Sequence, residues 1–198
     1  FLIVLGGIGF PVLAELREYI VGGRKKNFRF SLFTKLTIIT TTVLLLFGTI
    51  SFYLAERAHA LTGMSWHGKI LSSLLMSVTS RSAGLTTIDI TTITEASLLM
   101  LSILMFIGAS PSSMGGGVRT TTVAVIVLAL IAYSRGEKEP KVFGRMISQE
   151  DSLKSFVFFL TGIALLLGGI FMLLAAEPNR YSVSAVMFEV ASAFGTCG

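Results

Sequence analysis

ASLLMLSILMFIGASPSSMGGGVRTTTVAVIVLALIAYS, residues 96–134, holds a single charge, Arg119. As one helix it would run about 58 Å at ~1.5 Å per residue. That is nearly twice the roughly 30 Å of a bilayer's hydrocarbon core. Its centre reads Gly108-Ala-Ser-Pro-Ser-Ser-Met-Gly-Gly-Gly117. Three glycines in a row after a proline are very poor helix formers. The run therefore reads as one span, or a pair of half spans, broken in the middle. The plainer alternative is a tight loop between two short but ordinary spans. Irregular backbone at membrane depth survives only against protein or a water-filled cavity, so the break suggests a pathway.

Outward from this run the chain stays apolar. Leu36–Ala55 and Ser155–Ala176 carry no charge from end to end, and each is long enough to span. Phe1–Ala14 is uncharged up to Glu15 and reads as the tail of a preceding span. Its Gly6-Gly7 and Gly9 permit close helix contact, and Pro11 is expected to kink its end. Ile70–Val78 and Val183–Phe194 are apolar but too short to span. They read as re-entrant helices or as surface helices packed over the spans. With 53% hydrophobic and only 14% charged residues, the chain fits an all-α integral membrane protein better than a soluble domain. One cysteine excludes a disulfide framework and a cysteine-based zinc cluster. Two histidines leave little for a metalloenzyme, and no paired carboxylates, His cluster or Ser/Lys pair lies at membrane depth. The opening run from Phe1 has no charged n-region or cleavage site and does not read as a signal peptide. It stops at Cys197-Gly198 with no closing element and reads as a segment of something longer.

The net charge of +5 divides by position. Arg17, Arg24, Lys25, Lys26, Arg29 and Lys35 lie between the first two spans. Arg135, Lys138, Lys141, Arg145 and Lys154 lie between the broken span and the last one. The positive-inside rule makes loops 17–35 and 135–154 cytoplasmic, in a multi-pass protein of the cell membrane. The other side keeps Arg57, Lys69, Arg81 and Arg180. Nucleic acid is not the expected partner, because a phosphate-binding footprint needs basic residues clustered on one face.

The two short apolar stretches correspond to each other. LSSLLMSVTSRSAG (71–84) can be laid over AVMFEVASAFGTCG (185–198), and Ser82-Ala83-Gly84 then falls on Thr196-Cys197-Gly198. Each stretch follows a full span. Each ends in a small hydroxyl residue, a small side chain and a glycine. Inward backbone carbonyls replace the hydration shell of potassium in channels whose loops read Thr-Val-Gly-Tyr-Gly. Glycine supplies conformations closed to residues with a Cβ.

Four stretches resemble the Trk/Ktr/HKT superfamily of potassium transporters, most closely its KtrB-type membrane subunits: LIVLGGIGFPVLAEL (2–16), SVTSRSAGLTTIDI (77–90), MFIGASPSSMGGGVRTTT (105–122) and FEVASAFGTCG (188–198). The resemblance implies four linked M1–pore loop–M2 repeats of the potassium-channel type around one pore. Residues 1–16 would then end the second repeat's M2, with a linker at 17–35. The third repeat would fill 31–134, with M1 at 31–55, pore helix and filter at 65–90, and a broken M2 at 95–134. A second linker (135–154) would precede a partial fourth repeat at 152–198, with M1 at 155–176 and its pore helix and filter at 182–198. Filter carbonyls would come from Arg81, Ser82, Ala83 and Gly84 and from Gly195, Thr196, Cys197 and Gly198. The intramembrane gate would be Gly108, Ala109, Ser110, Pro111, Ser112, Ser113, Met114, Gly115, Gly116 and Gly117, with Arg119 at its end. Cys197 stands where the family pattern suggests valine. The resemblance further implies potassium uptake, with sodium coupling or activation left open and no organic cofactor. It implies a homodimer in membrane lipid and a cytosolic nucleotide-binding ring touching loops 17–35 and 135–154.

Other residues have expected roles of their own. Arg119 would repel cations, fix the loop through carbonyls, or snorkel to cytoplasmic water. Arg81 is expected to brace its loop against Glu189, Asp89 or Glu95, with Glu189 a brace as well. His59 and His67 are expected on the solvent side, and Trp66 and Tyr53 in an interfacial belt. Thr37–Thr42 and Thr120–Thr122 are expected to bond helix carbonyls rather than line water. A competing function is a different secondary transporter that binds a small substrate at the half-helix ends.

Overall fold

Serine and threonine set most of the helix starts. In the computed structural model, which describes residues 2–21, 30–136, 140–143, 145–177 and 181–198, the chain is helical: α1 (Leu2–Ile8), α2 (Phe10–Val21), α3 (Leu32–Glu56), α4 (Trp66–Thr79), α5 (Glu95–Phe106), α6 (Thr120–Ser134), α7 (Gln149–Ala176) and α8 (Val183–Gly195). Ser31, Ser65, Thr94, Ser148 and Ser182 cap α3, α4, α5, α7 and α8, each side chain accepting a backbone N–H from the first turn. A two-residue antiparallel ladder pairs Lys141–Val142 with Arg145–Met146. Arg24, Lys25, Lys26, Arg29, Lys138 and Arg180 lie outside the described residues.

Two helices, α3 and α7, are long and apolar enough to cross a membrane. Their packing is the reverse of a water-soluble core. Ile39, Val43, Leu46, Phe47, Ile50 and Leu54 of α3 are exposed, as are Phe158, Leu160, Leu165, Phe171 and Met172 of α7. The buried face of α3 is Thr34, Thr37, Thr41, Gly48, Phe52 and Glu56. In membranes helices associate through small residues and hydroxyl groups rather than through apolar bulk. Gly48 shows this. It lies where a Cβ would come within 2.4 Å of Ser77 Oγ on α4, and Ser77 donates to the Leu45 carbonyl at 3.0 Å.

The long apolar run is broken. Helices α5 and α6 have 12 and 15 residues, about 18 Å and 22 Å, each short of the membrane core. Span and short helix recur in order, α3 before α4 and α7 before α8, with α5 packed between α3 and α8. The first helix breaks at Gly9, with φ +94°, rather than kinking at Pro11. The physical reason is positional. Pro11 is the second residue of α2, where a missing N–H costs the helix nothing, and Gly9 takes the left-handed turn that proline cannot.

One buried carboxylate ties one end of this scaffold together. Glu56, fully buried at the last turn of α3, accepts bonds from Thr94 N (2.8 Å) and Oγ1 (2.7 Å), Ser97 Oγ and Ala60 N (3.3 Å). It thereby clasps the N-terminus of α5, where the helix dipole favours negative charge. Every partner is a donor, so Glu56→Gln turns an amide NH2 against one of them. Unfolding of the purified protein in detergent is expected to show a loss of about 2–4 kcal/mol, and Glu56→Asp a smaller one.

Candidate pore loops and the loop packed against them

The first candidate pore loop leaves α4 at Thr79. Ala83 N and Gly84 N both donate to the Thr79 carbonyl, at 3.1 and 3.2 Å, folding the loop back on the helix end. Gly84 has φ +59°. A Cβ there would lie 2.0 Å from the Cys197 carbonyl oxygen and 3.1 Å from that of Gly198. The structure thus brings the two small-small-Gly stretches into backbone contact, at the residue whose side chain must be absent.

The second candidate pore loop leaves α8 through a Schellman turn. Cys197 N donates to Ser192 O (2.9 Å) and Thr196 N to Ala193 O (3.2 Å). The left-handed position of this motif normally holds glycine, and here it holds Thr196 at φ +55°. A β-branched residue in that conformation is a genuine outlier. Its hydroxyl has a use, because Thr196 Oγ1 accepts from Gly116 N at 2.8 Å. The two loops correspond at their glycines, since Gly198 also has positive φ (+84°). They differ at Ser82 and Thr196, where only Thr196 is left-handed.

Cys197 is buried and its Sγ lies 3.1 Å from Ser80 O, toward which the thiol donates. The side chain points into protein and joins one loop to the other. A thiol is a weak donor, so Cys197→Val is expected to lower the unfolding free energy by less than about 1 kcal/mol. The melting temperature in detergent checks this.

The glycine-rich loop closes on itself and on its neighbours. Val118 N donates to Phe106 O (2.9 Å), joining the ends of α5 and α6, and Thr120 N donates to Ala109 O (3.4 Å). Arg119 is exposed, and its Nη1 donates to Gly115 O (3.1 Å) and Ser110 O (3.4 Å). It therefore fixes the loop through carbonyls. Four further backbone bonds reach outward. Ser110 N donates to Gly7 O (3.1 Å), and Phe10 N to Ser112 O (3.2 Å). Gly116 N donates to Gly195 O (3.3 Å), and Gly117 N to Phe194 O (3.1 Å). The loop thus caps the C-terminal end of α1, the N-terminal end of α2 and the C-terminal end of α8. Each of these ends would otherwise leave backbone groups unsatisfied. At the break itself, the bonds of Phe106 O and Thr120 N stay within the loop and its flanks.

Arg81 is buried, but not as a brace. Its Nε and Nη2 have no hydrogen-bond partner. Glu95 and Glu189 are exposed, and Asp89 accepts from Thr91 N (3.0 Å) and Oγ1 (2.8 Å). Those two bonds, the backbone one first, hold the Asp89 carboxyl below its ordinary value. Among the described residues the one ion pair is Lys154 with Glu150. Thr42 donates to Ile38 O (2.8 Å), whereas the buried hydroxyls of Thr37 and Thr41 have no partner. His59, His67 and Trp66 are exposed. Among the described residues no group of three or more His, Cys, Asp or Glu could hold a metal ion.

The sequence alone missed two residues, Gly9 as a break and Glu56 as a clasp. An acid ending an apolar run, 38 residues before a Thr94-x-x-Ser97 cap, is the one trace of Glu56's role in the sequence. For Gly9 the signal was a glycine two positions before a proline.

Comparison with known proteins follows the same lines. The family model for TrkH, a cation transport protein, matches residues 1–198. The chain is 45% identical over 197 residues to Ktr system potassium uptake protein D of Bacillus subtilis, covering 100% of this chain and 43% of that protein. It is 34% identical to Ktr system potassium uptake protein B of Vibrio alginolyticus, with 100% and 43% covered. It is 32% identical to potassium/sodium uptake protein NtpJ of Enterococcus hirae, again with 100% and 43% covered. The chain therefore spans less than half the length of these relatives. Matched end to end by one family model, the chain belongs to the TrkH family of cation transport proteins.

Proposed function

We propose that this chain supplies two of the pore loops of a potassium-uptake protein. Carbonyls of Arg81–Gly84 and Gly195–Gly198 form part of the ion filter, and Gly108–Gly117 with Arg119 is its intramembrane gate. The observation that carries the reading is the contact of Gly84 with the Cys197 carbonyl, which sets two glycine-ended loops side by side after two short helices. Backbone carbonyls strip potassium of its water only when several converge. The gate reading is supported by the loop's position, bonded to the end of α8 and to Thr196. The names of the relatives support potassium, and NtpJ's adds sodium as a second ion.

The protein is read as a multi-pass protein of the cell membrane, with the two basic linkers in the cytoplasm. Lys35 of one linker lies 5.3 Å from the ring centre of Phe143 in the other, in support of their sharing a side. A homodimer and a cytosolic nucleotide-binding ring complete the proposal, as the family resemblance implies. The test is rubidium uptake by the full-length protein in vesicles, with potassium and sodium as competitors. Competition by potassium well below the sodium concentration needed is the expected result. Equal competition by both, or no uptake, overturns the reading.

A further inference from the structure

We infer that the break at Gly9 is a second positioning element for the gate, through which movement of α2 reaches loop 108–117. The inference rests on the reading of that loop as a gate. Three observations carry it. The two helices that meet at Gly9 are bonded to the loop on both sides of the break. Gly7 O accepts from Ser110 N at 3.1 Å, and Phe10 N donates to Ser112 O at 3.2 Å. Gly9 itself is in left-handed conformation at φ +94°, and a Cβ on it would meet Pro111 O at 2.5 Å. Ser112 is also left-handed, at φ +60°, a conformation a serine holds only when its surroundings over-determine it.

These facts describe a hinge pressed against a strained loop. The carbonyl of Ser112 caps the first turn of α2, where the helix dipole is positive. Any rotation of α2 about Gly9 must break that cap or carry Ser112 with it. Helix α2 ends at Val21 and leads into the basic linker 17–35. Force applied to that linker therefore has a short covalent path to the loop. The other side of the loop is held by α8 through Gly116 and Gly117. Pulling on α2 moves the Ser110–Ser112 half while the glycine half stays with the pore loop. Helices in membrane proteins commonly transmit motion through a few residues that absorb the change in φ and ψ, and Gly9 has no side chain to resist it.

Two substitutions in the full-length protein test this. Phe10→Pro removes the N–H given to Ser112 and sets its ring carbon where that hydrogen pointed, so the Ser112 carbonyl has to move away. Helix α2 itself loses no intrahelical bond, because the first residue of a helix has a donor without an intrahelical partner. Gly9→Ala presses a methyl group on Pro111 O. Both are compared with deletion of Ala109–Gly117 by rubidium efflux from vesicles with no activating partner added. We expect the deletion to raise basal flux. Phe10→Pro should then raise it by about threefold to tenfold, the population shift of one lost backbone bond. If Gly9→Ala does not reach the membrane, Phe10→Pro decides. Raised flux in the deletion with unchanged flux in Phe10→Pro overturns this inference and leaves the gate reading intact. Unchanged flux in the deletion overturns the gate reading itself.

Discussion

Gly84→Ala is expected to abolish selective rubidium uptake by the full-length protein. The residue is constrained twice. Its φ of +59° costs a residue with a Cβ roughly 1 kcal/mol. The larger penalty is steric, because the new methyl group would lie 2.0 Å from the Cys197 carbonyl oxygen. That atom is backbone, so no side-chain rotation relieves the clash, and the segment Gly195–Gly198 has to move. The carbonyls displaced are the ones proposed to hold the ion. Every ~1.4 kcal/mol lost from the ion site is about a tenfold loss in affinity, so a modest displacement of these carbonyls is enough to be seen in uptake. The control is Gly63→Ala. Gly63 has a similar backbone conformation, φ +84°, in open space, so its substitution is expected to lower stability slightly and leave uptake selective. Equal selectivity in both variants would remove Gly84 from the filter.

Deletion of Ala109–Gly117 is expected to raise basal ion flux while lowering stability. The deletion joins Gly108 to Val118, a short gap to close, because Gly117, the neighbour of Val118, lies against Gly108: a Cβ on Gly108 would come within 2.9 Å of Gly117 Cα. Val118 N keeps its bond to Phe106 O, so α5 and α6 retain their mutual placement. What disappears is the plug of backbone between them. The four bonds to Gly7, Phe10, Phe194 and Gly195 disappear with it. At about 0.5–1.5 kcal/mol each, their loss lowers stability by a few kcal/mol. The melting temperature in detergent and rubidium efflux measured on one preparation separate the two effects. Lower stability with unchanged flux would make the loop a structural cap rather than a gate.

Much of this architecture follows from segment lengths in the sequence. The run 96–134, with one charge and a Pro-then-Gly-Gly-Gly centre, has no way to cross a bilayer as one helix, and α5 and α6 are the two halves. The uncharged runs 36–55 and 155–176 became α3 and α7 because each matches the thickness of the membrane core. The repeat of a short apolar helix ending in glycine placed Gly84 and Gly198, because positive φ at a loop end leaves few alternatives to glycine. Features made by distant contacts were not legible. The Thr196 conformation depends on Gly116, 80 residues away. Glu56 depends on Thr94 and Ser97, 38 and 41 residues away. Pro11 drew attention from Gly9 because proline is the familiar cause of a kink, yet in a first turn proline does no harm. Arg81 shows the opposite error. A buried charge ordinarily takes a carboxylate partner, whereas Glu95 and Glu189 face outward.

The central claim is that an ion sits between the two glycine-ended loops. Rubidium scatters anomalously, so crystals of the full-length protein grown in rubidium chloride locate the ion directly. The account predicts an anomalous peak coordinated by backbone carbonyls of Arg81–Gly84 and Gly195–Gly198. Rubidium bound elsewhere in the protein, with none between these loops, would contradict it.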